Sequence, residues 1–287
     1  MNDSAISSVQ IEASPVLLIV FAAALIACLA TILATANRIR SGRPLVTPVP
    51  HAAVSWGGFD VAIVMLLHLF CIVGASTLAG SGQGPVSSRQ ILAAACGMAI
   101  ATVASSGVLV MGGASTGMLG FRTATPLADV RLGLVTLAGI TPPLLVLAGL
   151  LDRFVPYRHP VVDLLTRGHD PGTVGAVILS AVVVAPIAEE FFFRKVLQGW
   201  LEAVEDRFCE RSGRTVTGLV PVAASSILFA LAHLEHGLGW IPLVAFGAAV
   251  GWLARQRGSI LPGILVHALF NAVSVGLLLS QGSPGGE

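Results

Sequence analysis

Eight apolar runs divide the chain, near residues 15–36, 58–80, 90–112, 131–151, 173–194, 217–235, 238–254 and 259–280. Runs of about 18 or more apolar residues read as membrane-spanning helices, because roughly 20 residues of helix cross the hydrocarbon core. The composition agrees. Only 11% of residues are charged and 55% are hydrophobic, with a mean hydropathy of +0.87, whereas soluble domains carry about 25% charged residues. The expected fold is an all-α, polytopic transmembrane helix bundle of about eight spans. The first run does not read as a cleavable signal peptide. Only Asp3 and Glu12 are charged before it, so a basic leader is missing, and the run is too long for such a segment.

The placement of Lys and Arg sets an expected orientation. Loops after the odd-numbered spans carry twelve: Arg38, Arg40 and Arg43, then Arg122 and Arg131, then Arg194, Lys195, Arg207, Arg211 and Arg214, then Arg255 and Arg257. The other side has four, Arg89, Arg153, Arg158 and Arg167. This bias puts both termini of an integral, multi-pass protein outside the cell membrane. A net charge of +1 with no basic patch beyond the short loops argues against a nucleic-acid partner. Cys28, Cys71, Cys96 and Cys209 form no CxxC pair, and three lie in apolar spans, so they read as buried small hydrophobes. Gly247 and Gly251 form a GxxxG pattern suited to close helix packing inside the protein.

Polarity divides the chain further. Spans one to four are almost purely apolar, while the polar groups inside spans collect after residue 173. The expected division is 1–150, membrane helices without an assigned role, and 151–287, the part that carries chemistry. Span five ends in "APIAEEFFFRKVLQGW" (185–200), with two adjacent carboxylates and an arginine in an apolar setting. A charge at the centre of a spanning helix costs about 2.5–3.5 kcal/mol on insertion scales, so it faces a cavity or a partner. Glu190 and Arg194 stand at i,i+4, the spacing at which a carboxylate pairs with a later cation. Glu189 points about 140° away from Arg194 and has no partner on its own helix. The plainer reading puts all three at the membrane interface, where charges are cheap.

Two further spans weigh against that plainer reading. Span six reads "SSILFALAHLEHG", with Phe229 and His233 at i,i+4, and span eight reads "GILVHALFNAV", with His267 and Asn271 at i,i+4. His68, in "MLLHLFC", has no polar neighbour one turn away and reads as a core residue; His236 reads as a loop residue. A carboxylate can take a proton from water while a neutral imidazole orients it. A second imidazole and an amide can donate to a developing oxyanion. Such a set, converging from spans five, six and eight, can attack a peptide bond with water.

"EEFFFR" (189–194), "FALAH" (229–233) and "HALFN" (267–271) resemble, in order, the EExxxR, FxxxH and HxxxN motifs of the CAAX-prenyl-protease and bacteriocin-processing family, also called CPBP or Abi. The resemblance covers about residues 173–280 and no motif extends it to the first 130. It implies a multi-pass intramembrane endopeptidase in which Glu189 with His233 activates water, and His267 with Asn271 holds the oxyanion. Glu190 and Arg194 complete the set of six expected site residues. It also implies a peptide or membrane-protein substrate, lipidated or not, within membrane lipid. The metal question stays open: two His and one or two carboxylates could ligate Zn²⁺ with an open fourth position, yet there is no HExxH and a Glu–His pair needs no metal. Two other classes compete. One is a proton- or cation-coupled transporter, against which the first half offers no matching polar helix. The other is a non-catalytic scaffold or immunity protein, which leaves the full set unexplained.

Depth raises a difficulty. Glu189 should lie roughly 8 Å from Arg194 and so near one membrane face, whereas His233 should lie about 24 Å from that face if span six starts at 217. Pro221 argues for a later start. The reading therefore requires a water-filled cavity that reaches the bilayer centre.

Overall fold

A computed structural model describes residues 15–50, 53–80, 85–156, 160–167 and 170–280. Among the described residues there are helices and no strands, as the apolar runs predict. In chain order they are α1 (Pro15–Arg40), α2 (Gly58–Leu78), α3 (Ser88–Met111), a 3₁₀ turn (Thr116–Leu119), α4 (Pro126–Asp152), α5 (Pro160–Arg167) and α6 (Pro171–Ser212). Then follow α7 (Leu219–Leu231), a second 3₁₀ segment (Leu234–Gly239), α8 (Trp240–Arg257) and α9 (Leu261–Ser280).

Local chemistry fixes several ends. The Ser87 hydroxyl accepts from Gln90 N (3.3 Å) while Ser87 N donates to Gln90 Oε1 (2.9 Å), which closes a capping box on α3. Asp170 caps α6 by accepting from Thr173 N at 3.0 Å, with Pro171 at the first helical position. Hydrogen bonding to Thr173 holds the Asp170 carboxyl below its usual range. α6 and α8 stop at Gly213 and Gly258, both left-handed at φ 66° and 62°.

Among the described residues, seven helices are long and apolar enough to cross a membrane, against the eight expected. The expected sixth span, 217–235, is the 13-residue α7, about 20 Å long. Its start is set by Gly218 at φ +71° with Pro221 in the first turn, and its end by the turn through His233 into the second 3₁₀ segment. That segment completes the traverse. Gly218 lies against Arg255 at the end of α8, and Gly237 lies against Pro156 just beyond α4. α7 and its 3₁₀ continuation thus run the depth of the bundle. The fifth span differs in the other direction: it does not stop at 194 but continues as one 42-residue helix. Two π-helical stretches, Ile178–Val184 and Glu190–Leu197, interrupt its regular winding. Single π turns inside α-helices commonly mark functional positions.

Several residues counted from sequence as loop cations are interior. Arg194, Lys195 and Arg257 are 2%, 7% and 9% exposed. Arg257 Nε donates to Asp129 Oδ1 at 2.6 Å, its Nη1 to Thr47 O at 2.8 Å, and its Nη2 to Thr125 Oγ1. α4 begins before the expected fourth span, 131–151, and its first turn carries Asp129, one half of this buried ion pair. Removing these three cations from the count leaves the charge bias with the same sign.

Packing joins the two halves. One core cluster brings Trp56, Val64, Leu109 and Leu119 against Phe191, Val196 and Ile260. The Trp56 indole donates to Val196 O at 3.0 Å. Gly247 and Gly251 serve close contact within the chain: a β-carbon on Gly247 would lie 3.1 Å from Ser226 Cα, and one on Gly251 2.6 Å from Gln198 Oε1. Cys28 and Cys209 are buried as expected, but Cys96 is exposed on α3. His68 hydrogen-bonds to Val64 O (2.9 Å) within its own helix and sits 3.5 Å from the Ser105 hydroxyl.

Candidate active site

Glu189 is the last residue of α6 before its second π stretch, and Glu190 is the first within it. Their surroundings differ sharply. Glu190 is wholly buried, and both of its oxygens are engaged: Oε2 accepts from Arg194 Nε (3.1 Å) and Oε1 lies 2.9 Å from His267 Nδ1. Arg194 is held in turn by the Ser225 hydroxyl, which accepts from Nη1 at 3.2 Å and donates to Phe193 O at 2.7 Å. Glu189 instead lines a cavity of about 350 Å³, with its Oε2 3.8 Å from His267 Nε2.

The same cavity is lined by His233, His267 and Asn271. The four side chains come from α6, the turn after α7, and α9. His233 Nδ1 lies 2.9 Å from Phe229 O; a carbonyl only accepts, so Nδ1 carries the proton and Nε2 the lone pair when the ring is neutral. His267 Nδ1 faces a carboxylate already paired with arginine, so that nitrogen also carries a proton. Asn271 Nδ2 donates one hydrogen to Ala181 O (2.8 Å) in the first π stretch, which leaves its second hydrogen for another acceptor. The rest of the lining is largely apolar, from Ile91 and Met98 of α3 to Phe270 and Leu278 of α9.

All six residues singled out from sequence are thus gathered in one place, four on the cavity and Glu190 with Arg194 packed behind it. The depth mismatch expected from sequence does not keep the two apart, since Glu189 and His233 line one cavity. α6 does not stop at Arg194 but extends to Ser212, with Glu189 near its middle. Because α7 ends at Leu231, His233 is not on a helix but in the turn that follows it.

Two supporting residues, Ser225 and Gly263, escape the sequence reading, and Phe229, the first residue of the FxxxH motif, does more than flank His233. Its fully buried ring meets His233 (5.0 Å), His267 (5.8 Å) and Phe193 (5.3 Å), with the Arg194 guanidinium 4.8 Å above it. Ser225 stands four residues before Phe229, so the same i,i+4 spacing could have identified it. Gly263 has no such signal. A β-carbon there would lie 2.7 Å from Val250 Cγ1 and 3.4 Å from Glu190 Oε2.

The zinc question that the sequence left open turns on Nε2 of the two histidines and on Glu189: Nδ1 of each ring faces a carbonyl or Glu190, the arrangement also found behind metal-bound imidazoles, and Glu190 is committed to Arg194. Among the described residues no three His, Cys, Asp or Glu side chains are grouped to hold a metal ion.

Residues 171–273 match the family described as type II CAAX prenyl endopeptidase Rce1-like. No curated protein and no solved structure matches the chain. The matched segment, 103 of the chain's 287 residues, contains all six residues above and is similar to this family of CAAX prenyl endopeptidases.

Proposed function

We propose that the chain is an intramembrane endopeptidase that hydrolyses a peptide bond with water activated by Glu189 and His233. The observation that carries this reading is the arrangement of Glu189, His233, His267 and Asn271 around one cavity, with Glu190 and Arg194 buried behind it. Glu189 takes a proton from water, and the resulting hydroxide attacks the scissile carbonyl carbon. His233 Nε2 accepts the water's other hydrogen and so aims its lone pair. The carbonyl oxygen becomes an oxyanion, which the second Asn271 hydrogen and His267 Nε2–H stabilise. His267 donates through Nε2 when doubly protonated. Collapse of the intermediate breaks the C–N bond, and Glu189 returns its proton to the leaving amine.

The apolar remainder of the cavity supports a substrate with a hydrophobic or lipidated segment beside the scissile bond. Residues 151–287 carry this chemistry in our reading, and the charge bias supports a cell-membrane protein with both termini outside.

Glu189→Gln tests the proposal. It removes the proton acceptor and keeps the shape, so cleavage should fall by about 10²–10⁴-fold, the usual worth of general-base catalysis. Membrane proteomics of cells carrying wild type or Glu189→Gln should reveal a peptide cut only by the wild type. Equal cleavage by both would remove Glu189 from the mechanism.

A further inference from the structure

The candidate active-site cavity reaches one end of the bundle and not the other. On α3, which starts at that end, its lining runs from Ile91 to Met98, within about 15 Å of the helix's first residue. On α6 it runs from Ser180 to Glu189, and among the described residues nothing beyond Glu189 on that helix contributes. On α9 it runs from His267 to Leu278, two residues short of the helix's end. These ends lie together. Ser180 Oγ donates to Ile91 O (3.4 Å), and Val177 of α6 packs with Val275 of α9 and Leu165 of α5. Val161 and Val162 of α5 complete the rim.

Toward the opposite end the site is sealed. Directly beyond Glu189, the residues Glu190, Phe191 and Arg194 are 0%, 0% and 2% exposed, whereas the Glu189 side chain keeps 24% of its surface accessible. Phe229, fully buried, lies beneath the Arg194 guanidinium, and Gly263 brings α9 against Glu190 and Val250. The two ends also differ in charge. With Arg194, Lys195 and Arg257 set aside as interior, the sealed end has nine of the loop cations and the open end four. Cations collect on the cytoplasmic side of membrane-spanning proteins, and that bias puts the open end outside.

We propose that substrate enters from the extracytoplasmic side, past the α5 rim, and that the protein cuts peptide segments presented from that side rather than cytoplasmic tails. Along α9 about 16 Å separates His267 from Leu278, a distance that about five residues of extended peptide cover. A substrate therefore brings about five residues, apolar ones to match Ile91, Met98 and Leu278, between the rim and its scissile bond. The cut rests on the protease reading and the side on the charge bias. The route through the open end rests on neither.

The route is read without activity, by a membrane-impermeant maleimide on the full chain in right-side-out and inside-out membrane vesicles. Ser274→Cys probes the cavity and Arg211→Cys the sealed end, each counted above the labelling of wild type. Ser274→Cys should label in right-side-out vesicles and Arg211→Cys in inside-out ones. Labelling of both from one face overturns the route, and so does a Ser274→Cys that labels from neither. The two labelling from opposite faces, with Arg211→Cys outside, overturns the extracytoplasmic side. Should Ser274→Cys not fold, Ala185→Cys, which lines the cavity nearer Glu189, is read in the same way. The substrate is read separately, from new peptide ends found in cells with wild type and missing with Glu189→Gln. These cuts should fall in extracytoplasmic segments or the outer half of a span, and cuts in cytoplasmic tails overturn the substrate class. If no such ends are found while Ser274→Cys labels from outside, the protease reading falls and the route stands.

Discussion

Adjacent glutamates in one helix take opposite environments here because each sits at a different angle on α6. Glu190 has both oxygens engaged by Arg194 and His267 and no exposed surface, whereas Glu189 lines the cavity. Breaking one side of a buried ion pair costs about 3–5 kcal/mol. Glu190→Gln should therefore lower the detergent melting temperature as well as slow cleavage, and Glu190→Gln with Arg194→Gln should be more stable than the single variant. If Glu189→Gln keeps near-full activity while Glu190→Gln is inert yet melts like wild type, Glu190 rather than Glu189 is the base. The Glu190–Arg194 pair was legible in the sequence because it obeys helical spacing. Its link to His267 was not, because that partner lies 77 residues away and only packing brings the two together.

At the scale of elements, apolar patterning located the helices but misjudged two lengths. Charges at 194 and 195 look like the end of a span, yet both are interior, and α6 runs on to Ser212. Periodicity cannot show a cation whose partners come from other helices. Nor does it show π winding, which leaves no mark in residue type. Helix contact can be tested on α3, which lines the cavity. A β-carbon on Gly97 would lie 2.5 Å from Cys71 O and 2.9 Å from Ile72 Cα, both backbone atoms of α2 that cannot swing aside. Gly97→Ala should destabilise by about 1–3 kcal/mol despite a gain of roughly 1 kcal/mol in helix propensity. Gly107, on the same helix with nothing within 4 Å, supplies the control. Gly107→Ala should melt at or slightly above the wild-type temperature.

The whole molecule is tied together across the division that polarity suggested. The Asp129–Arg257 pair joins α4 to α8, and the Trp56 cluster joins the loop before α2 to α6. Asp129→Asn should destabilise the protein by about 3 kcal/mol, because it leaves Arg257 buried without its counter-charge. Detergent melting of Asp129→Asn against Arg257→Gln and the double variant reads this coupling. Orientation is tested separately. Single cysteines placed at 207 and 211 should label from the cytoplasmic face, and labelling from outside would invert the proposed topology.

The 42-residue α6 has a mechanical consequence. Glu189 lies about 27 Å from its first residue and about 35 Å from its last. A rod that rocks about its middle sweeps its ends widely and hardly moves its centre. The two carboxylates therefore sit near the node of that motion, where thermal tilting of the helix displaces a side chain least. In such tilting the ends of α6, its charged final turns among them, move furthest and its two central carboxylates least.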